Sequence, residues 1–219
     1  MEPDILLRLV ADLSVPQRLA LSYSPRRYKL GTAGLLALDA RLAQIVRAQR
    51  EVVLVQMRLA WWRDMLGKSP GDWPKGDAVL AALRDWQDPA ALVPLVDGWE
   101  ALLSDRLDKD AIAAFAGGRS AGFLALSVQA GLSVGEEAVR HASRTWALAD
   151  LAAHITSPEE RVLVIGMAAG GAIRPLPRAL RPLRILAGLG RRALRAGGRP
   201  LVGRPQDLLL AMRLGLVGR

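Results

Sequence analysis

From Leu35 to Ile45 the apolar side chains return at spacings of three and four: Leu35, Leu38, Leu42, Ile45. That period stacks them on one face of a helix. The same spacing runs through Val55, Leu59, Trp62 and Leu66, with Leu54, Trp61 and Met65 in a second stripe beside it. The opposite signal is lacking. Alternating stretches rich in Val, Ile and Thr do not occur, so strands have little support. Apolar residues make up 51% of the chain but aromatics only 5%, so the core material is Leu, Ala and Val. Ala and Leu favour helix. The expectation is an all-α, multi-helix bundle, with the 219 residues forming one domain (1–219).

Glycine, proline and capping residues divide the chain. Helices are expected over 5–13, 16–23, 25–47, 51–66, 78–86, 89–107, 119–130, 135–155, 177–196 and 206–214. The stretch from Gly67 to Asp77 reads as a loop. Asp110 reads as the cap of a further helix, which Gly117-Gly118 would break. Ser157-Pro158-Glu159-Glu160 is a helix start. Trp61 and Trp62 lie about 100° apart on a helix, so both can be buried if neighbours cover two sides. The stems of Arg58 and Arg63 can then cover indole surface while their heads reach water or a carboxylate such as Asp39 or Asp64.

Several kinds of chemistry find no support. Cysteine is absent, which removes thiol nucleophiles and thiolate metal sites. His141 and His154 stand 13 apart without an acidic cluster. No G-x-S-x-G elbow is present. Gly-rich "AGGRSAG" (Ala116 to Gly122) could cradle a phosphate, but it lacks the GK[ST] ending and reads as a turn between helices. No D-x-x-x-D pair offers two carboxylates to a metal, and Glu136-Glu137 and Glu159-Glu160 sit at helix starts, where the helix dipole accounts for them. The N-terminal stretch lacks the pattern of a signal peptide. The longest charge-free apolar run, Val162 to Ile173, is too short to span a bilayer as a helix. A cytoplasmic protein, at most peripheral to the inner membrane, is the expectation.

Charge is concentrated at one end. Residues 1–173 sum to −1, whereas 174–219 hold 11 arginines and a single acid, Asp207, and sum to +10. On a helical wheel Arg178, Arg181, Arg184, Arg191, Arg192 and Arg195 fall within an arc of about 140°, with leucines over most of the rest and Ile185 on the basic side. This reads as a basic amphipathic helix whose leucines pack on the bundle, with its arginines either a solvated face or a site for an anion or an anionic membrane. A chain ending at Ala172 is expected to lose such binding. A nucleic-acid interface would need aromatics among the arginines, and the segment has none, so no nucleic-acid partner is expected.

Two stretches together carry a resemblance. "LLALDARLAQIVRAQREVVLVQMRLAWWRDML" (Leu35 to Leu66) resembles the second and third helices of the squalene/phytoene synthase family, the head-to-head prenyl-diphosphate synthases. "WALADLAAH" (Trp146 to His154) stands where that family's second aspartate helix would lie, and "RPLPRALRPLRILAGL" (Arg174 to Leu189) is similar to the stretch that follows. "RLAWWRDML" is the most specific part, and the likeness covers about residues 18–195.

The resemblance implies an isoprenoid-synthase type of bundle. Where catalytic members carry Asp-Asp-x-x-Asp, this chain has Ala43, Gln44 and Arg47, and of the second acidic motif only Asp150 remains. A magnesium-bridged diphosphate needs several carboxylates. The closer likeness is therefore the degenerate branch that includes mitochondrial complex I assembly factors. It implies a non-catalytic scaffold, assembly or lipid-associated factor without a cofactor or bound metal. Its implied partners are an anionic membrane surface, a membrane protein complex or an isoprenoid lipid. The old cavity would be lined by Asp39, Arg47, Arg58, Trp62 and Asp150. The alternative is an active prenyltransferase with a rearranged magnesium site.

Overall fold

The computed structural model describes residues 2–48, 51–104, 106–168 and 174–217. Eleven α-helices and no strands occur among them: α1 (Glu2–Asp12), α2 (Val15–Ser22), α3 (Arg26–Ala48), α4 (Val52–Gly67), α5 (Ala78–Leu83), α6 (Val93–Glu100), α7 (Lys109–Gln129), α8 (Glu136–His154), α9 (Pro158–Gly166), α10 (Arg181–Arg195) and α11 (Pro205–Leu216). The all-α expectation holds. The periodic leucines of α3 point into the core: Leu35, Leu38 and Leu42 are each at most 2% exposed.

α7 lies at the centre, packed on α6, α8 and α3, while α10 packs on α8 and α2. α7 does not break at Gly117-Gly118, contrary to the sequence expectation. The glycines serve packing instead. A Cβ placed on Gly98 of α6 would lie 3.0 Å from the Ala114 carbonyl oxygen and 3.3 Å from the Gly118 Cα, so the two backbones touch. Small residues permit that approach, and packing outweighs the intrinsic cost of glycine in a helix. Asp108, not Asp110, caps α7 by accepting from the Ala111 N–H at 2.8 Å.

The expected helix over 89–107 is divided. Pro89 opens a 3-10 turn ending at Leu92, Pro94 sits in the first turn of α6, and a second 3-10 turn covers Ala101–Leu103. Each proline lacks an N–H and suits a start rather than an interior. The cap at Ser157 is present, accepting from the Glu160 N–H.

The tryptophan pair divides between core and surface. Trp62 is 3% exposed, but Trp61 is 40% exposed and meets Trp62 edge-on, with centroids 5.1 Å apart. Only one side of α4 is covered, so the condition for burying both rings is not met.

α10 is a core helix. Leu183, Ile185, Leu186 and Leu189 are fully buried, and a Cβ on Gly190 would stand 3.0 Å from the Ala149 Cβ of α8. Gly197 and Gly198, with φ of 80° and 73°, end it by returning the Gly198 N–H to the Ala193 carbonyl at 2.9 Å. Such left-handed positions favour glycine.

Candidate functional site

Two of the sequence-selected residues meet at the centre. α3 brings Asp39 and α8 brings Asp150 to opposite sides of Arg119, which rises from the middle of α7. Arg119 Nε donates to Asp39 Oδ1 at 2.9 Å and Nη2 donates to Asp39 Oδ2 at 2.9 Å, a two-pronged pair. Nη2 also lies 2.9 Å from Asp150 Oδ2. Asp39 takes two further donors: Trp99 Nε1 of α6 at 2.9 Å and Gln17 Nε2 of α2 at 3.3 Å. Gln17 Oε1 in turn accepts from the Ser14 backbone N–H at 3.0 Å, so the cap of α2 is tied to the central charge.

Aromatic rings close around the guanidinium. Its central carbon lies 4.1 Å from the Trp146 ring, 4.7 Å from Phe115 and 5.2 Å from Trp99. Ring faces favour a desolvated cation at these distances. Phe115 and Trp146 each precede their charged neighbour by four residues, Phe115 with Arg119 and Trp146 with Asp150. That spacing aims ring and charge the same way from one helix.

Burial sets the electrostatics. The side chains of Arg119 and Asp39 are 2% and 3% exposed, and that of Asp150 is 20% exposed. Burial raises the Asp39 pKa above the ordinary carboxylate value, against the opposing pull of Arg119, while Asp150 adds to the rise. For Arg119 burial works against the charge, but Asp39 and Asp150 outweigh it and its pKa lies above the usual arginine value. His154 borders the outer side of the cluster, its Nδ1 3.7 Å from Asp150 Oδ1 and 2.7 Å from the Asp150 carbonyl oxygen.

The remaining candidates lie elsewhere. Arg47 and Arg58 are exposed. Trp62 is buried but makes none of these contacts; its place beside the cluster is taken by Trp99 and Trp146. Arg63 pairs across to Asp97 and Glu100 of α6 rather than to Asp39 or Asp64. Of the six arginines on the expected basic arc, Arg178 and Arg195 are exposed, while Arg181, Arg184, Arg191 and Arg192 are half-buried. Arg192 Nε lies 3.1 Å from Asp207 Oδ1.

Arg119 itself was hidden inside "AGGRSAG", where a turn was expected. The signal that could have found it is the pair of aromatic–charge spacings at 115/119 and 146/150.

Chemically, the centre is filled. The void beside Asp39, Arg119 and Trp146 has no room for a water molecule. Both Asp39 oxygens are engaged by donors, and a fixed cation occupies the space between the two carboxylates. Magnesium, which the enzyme alternative requires, does not fit this donor set. Among the described residues no group of three or more acids or histidines is placed to hold a metal ion. A larger open cleft of about 440 Å³ lies between α3, α5 and the end of α7, beside Tyr28 and Trp86, and shares no lining residue with the cluster. Fold and site thus define an all-helical protein whose central carboxylates are neutralised from within. Comparisons with protein families, curated proteins and solved structures return no match.

Proposed function

We propose that this chain is a non-catalytic protein of the prenyl-synthase type, acting as a scaffold, assembly or lipid-associated factor. In this reading it works in the cytoplasm, peripheral to the inner membrane. The observation that carries the reading is Arg119. A prenyl-diphosphate synthase needs an open cavity and unpaired carboxylates to hold the metals that neutralise the leaving group. Here a buried arginine supplies the positive charge, and aromatic rings take up the space. The centre has become a structural core element.

The charge distribution supports the lipid-associated half of the reading. The body is neutral and the last 46 residues hold the whole positive excess. Such a field draws the protein to anionic surfaces and weakens with salt.

The test is turnover. Incubated with farnesyl or geranylgeranyl diphosphate and magnesium or manganese, the protein is expected to release no pyrophosphate above a boiled control. A coupled prenyl product or released pyrophosphate would overturn the reading.

A further inference from the structure

α11 has a buried inner side and an apolar outer side. Its inner side, Asp207, Ala211 and Gly215, is buried against α10 and α2. Its outer side should then be polar, as on an ordinary surface helix. It is not. Leu208, Leu209, Met212 and Leu216 are 45%, 65%, 47% and 67% exposed. At 100° per residue these four fall within an arc of about 100°. Arg213 borders that arc and Arg204 stands at the helix start, both exposed.

The surroundings are positive. Asp207, the only acid between residues 174 and 219, is fully buried. It is taken up by Arg199, Arg192 and the backbone N–H groups of Gly203 and Arg204. Among the described residues of this segment no acidic side chain reaches the surface. Leu214 packs on Gly188 of α10, one turn after Arg184, and Gly215 packs on the Tyr23 ring, just before exposed Arg26 and Arg27. Arg181 and Arg184 have no hydrogen-bond or ion-pair partner among the described residues, and their Nε atoms are buried without an acceptor. Burial and the neighbouring charge of Arg181 lower the Arg184 pKa.

We propose that α11 is an interfacial helix. It lies on an anionic lipid bilayer with Leu208, Leu209, Met212 and Leu216 among the acyl chains. Arg204 and Arg213 sit at the headgroups beside them. An apolar stripe flanked by arginines is the composition that bilayer interfaces select. A second copy would set one positive face against another. This inference rests on the lipid-associated reading above and names the surface, which is α11 rather than the arginine arc of α10.

The absence of cysteine provides a clean probe. Met212→Cys and, as a control on the exposed apolar face of α4, Met57→Cys are each labelled with an environment-sensitive fluorophore. The full-length chains are mixed with vesicles of neutral lipid alone or with added anionic phospholipid. The Met212 label is expected to shift to the blue on anionic vesicles while the Met57 label stays unchanged. Leu209→Asp, at an exposed position, is expected to weaken co-sedimentation about tenfold or more, the loss of one buried leucine. Its circular dichroism should match the parent. An unmoved Met212 label on vesicles that still sediment the protein overturns insertion while sparing a purely electrostatic association. Absence of sedimentation on anionic vesicles overturns both. Equal shifts at Met57 and Met212 also overturn the assignment of α11.

Discussion

Arg119 explains why three tryptophan and phenylalanine rings and two aspartates converge in so small a helical protein. A buried ion pair gives little net stability, but removing one member leaves an uncompensated charge. Arg119→Met is expected to cost about 3–5 kcal/mol in denaturant unfolding at neutral pH. Adding Asp39→Leu should recover much of that loss, because the orphaned carboxylate goes with it. The pH dependence follows from the direction of the Asp39 shift. A carboxyl whose folded pKa is raised stabilises the fold when protonated, and that contribution is lost as pH rises through the folded value. Without Arg119 the rise is larger, so the penalty in Arg119→Met should shrink as pH is lowered from about 8 to about 5. A penalty independent of pH would mean that Asp39 is not the orphaned group. The tryptophan pair gives a second contrast between neighbouring residues. Trp62→Ala should cost about 3–5 kcal/mol as a buried aromatic. Trp61→Ala should cost about 1 kcal/mol, the worth of an edge contact at a half-open site. Equal shifts in the unfolding midpoint would contradict the burial of one ring and exposure of the other. Asp39 and Asp150 were legible in the sequence as isolated acids on helices. Arg119 was not, because local glycine content suggested a turn, and only tertiary packing shows that those glycines admit α6.

Helices were legible wherever apolar residues kept a period of three to four, as in α3, α4 and α8. Boundaries failed where proline and glycine serve two purposes. Pro94 starts a helix inside a periodic run, and Gly118 sits mid-helix to let another backbone approach. The wheel for α10 placed its leucines correctly against the bundle, but it could not show that neighbours also cover Ile185 and half-bury four arginines. At the α10–α11 corner one carboxylate governs the geometry. Burial alone would raise the Asp207 pKa, but Arg199 and the N–H groups of Gly203 and Arg204 outweigh it, and the value lies below the ordinary one. A depressed carboxylate contributes stability above its unfolded pKa, near 3.9, and loses it as pH falls through the folded value. α11 should therefore become more open to proteolysis and amide exchange below about pH 4, ahead of α7. Asp207→Asn should show that openness already at neutral pH, with little further change on acidification. If α11 in Asp207→Asn is protected as in the parent, the carboxylate does not hold the corner.

At the scale of the whole molecule the question is whether the basic end is an appendage or part of the body. Charge alone suggests an appendage, since residues 1–173 are neutral and the remainder carries +10. Packing gives the other answer. α10 lies against α8 and α2, and Leu183, Ile185, Leu186 and Leu189 are each fully buried there. A chain ending at residue 172 would expose those contacts on α8 and on α2, whose Gln17 reaches Asp39. Burying a leucine or isoleucine side chain is worth about 1.5–3 kcal/mol, so losing four exceeds the margin of a typical domain. Such a truncation is expected to abolish cooperative unfolding rather than yield a folded body without lipid binding. A chain ending at Gly203, which removes α11 alone, should retain a cooperative transition with a lowered midpoint, because α11 contributes only part of the α10 cover. Thermal unfolding followed by circular dichroism separates the cases. A cooperative melt for the shorter chain would mean that α10 is dispensable and that the basic segment is an addition to an independent bundle. Loss of the melt, with its retention in the longer chain, places the boundary between body and surface helix after α10. The positive charge then belongs to the core fold, and the outer face of α11 is left over for a partner.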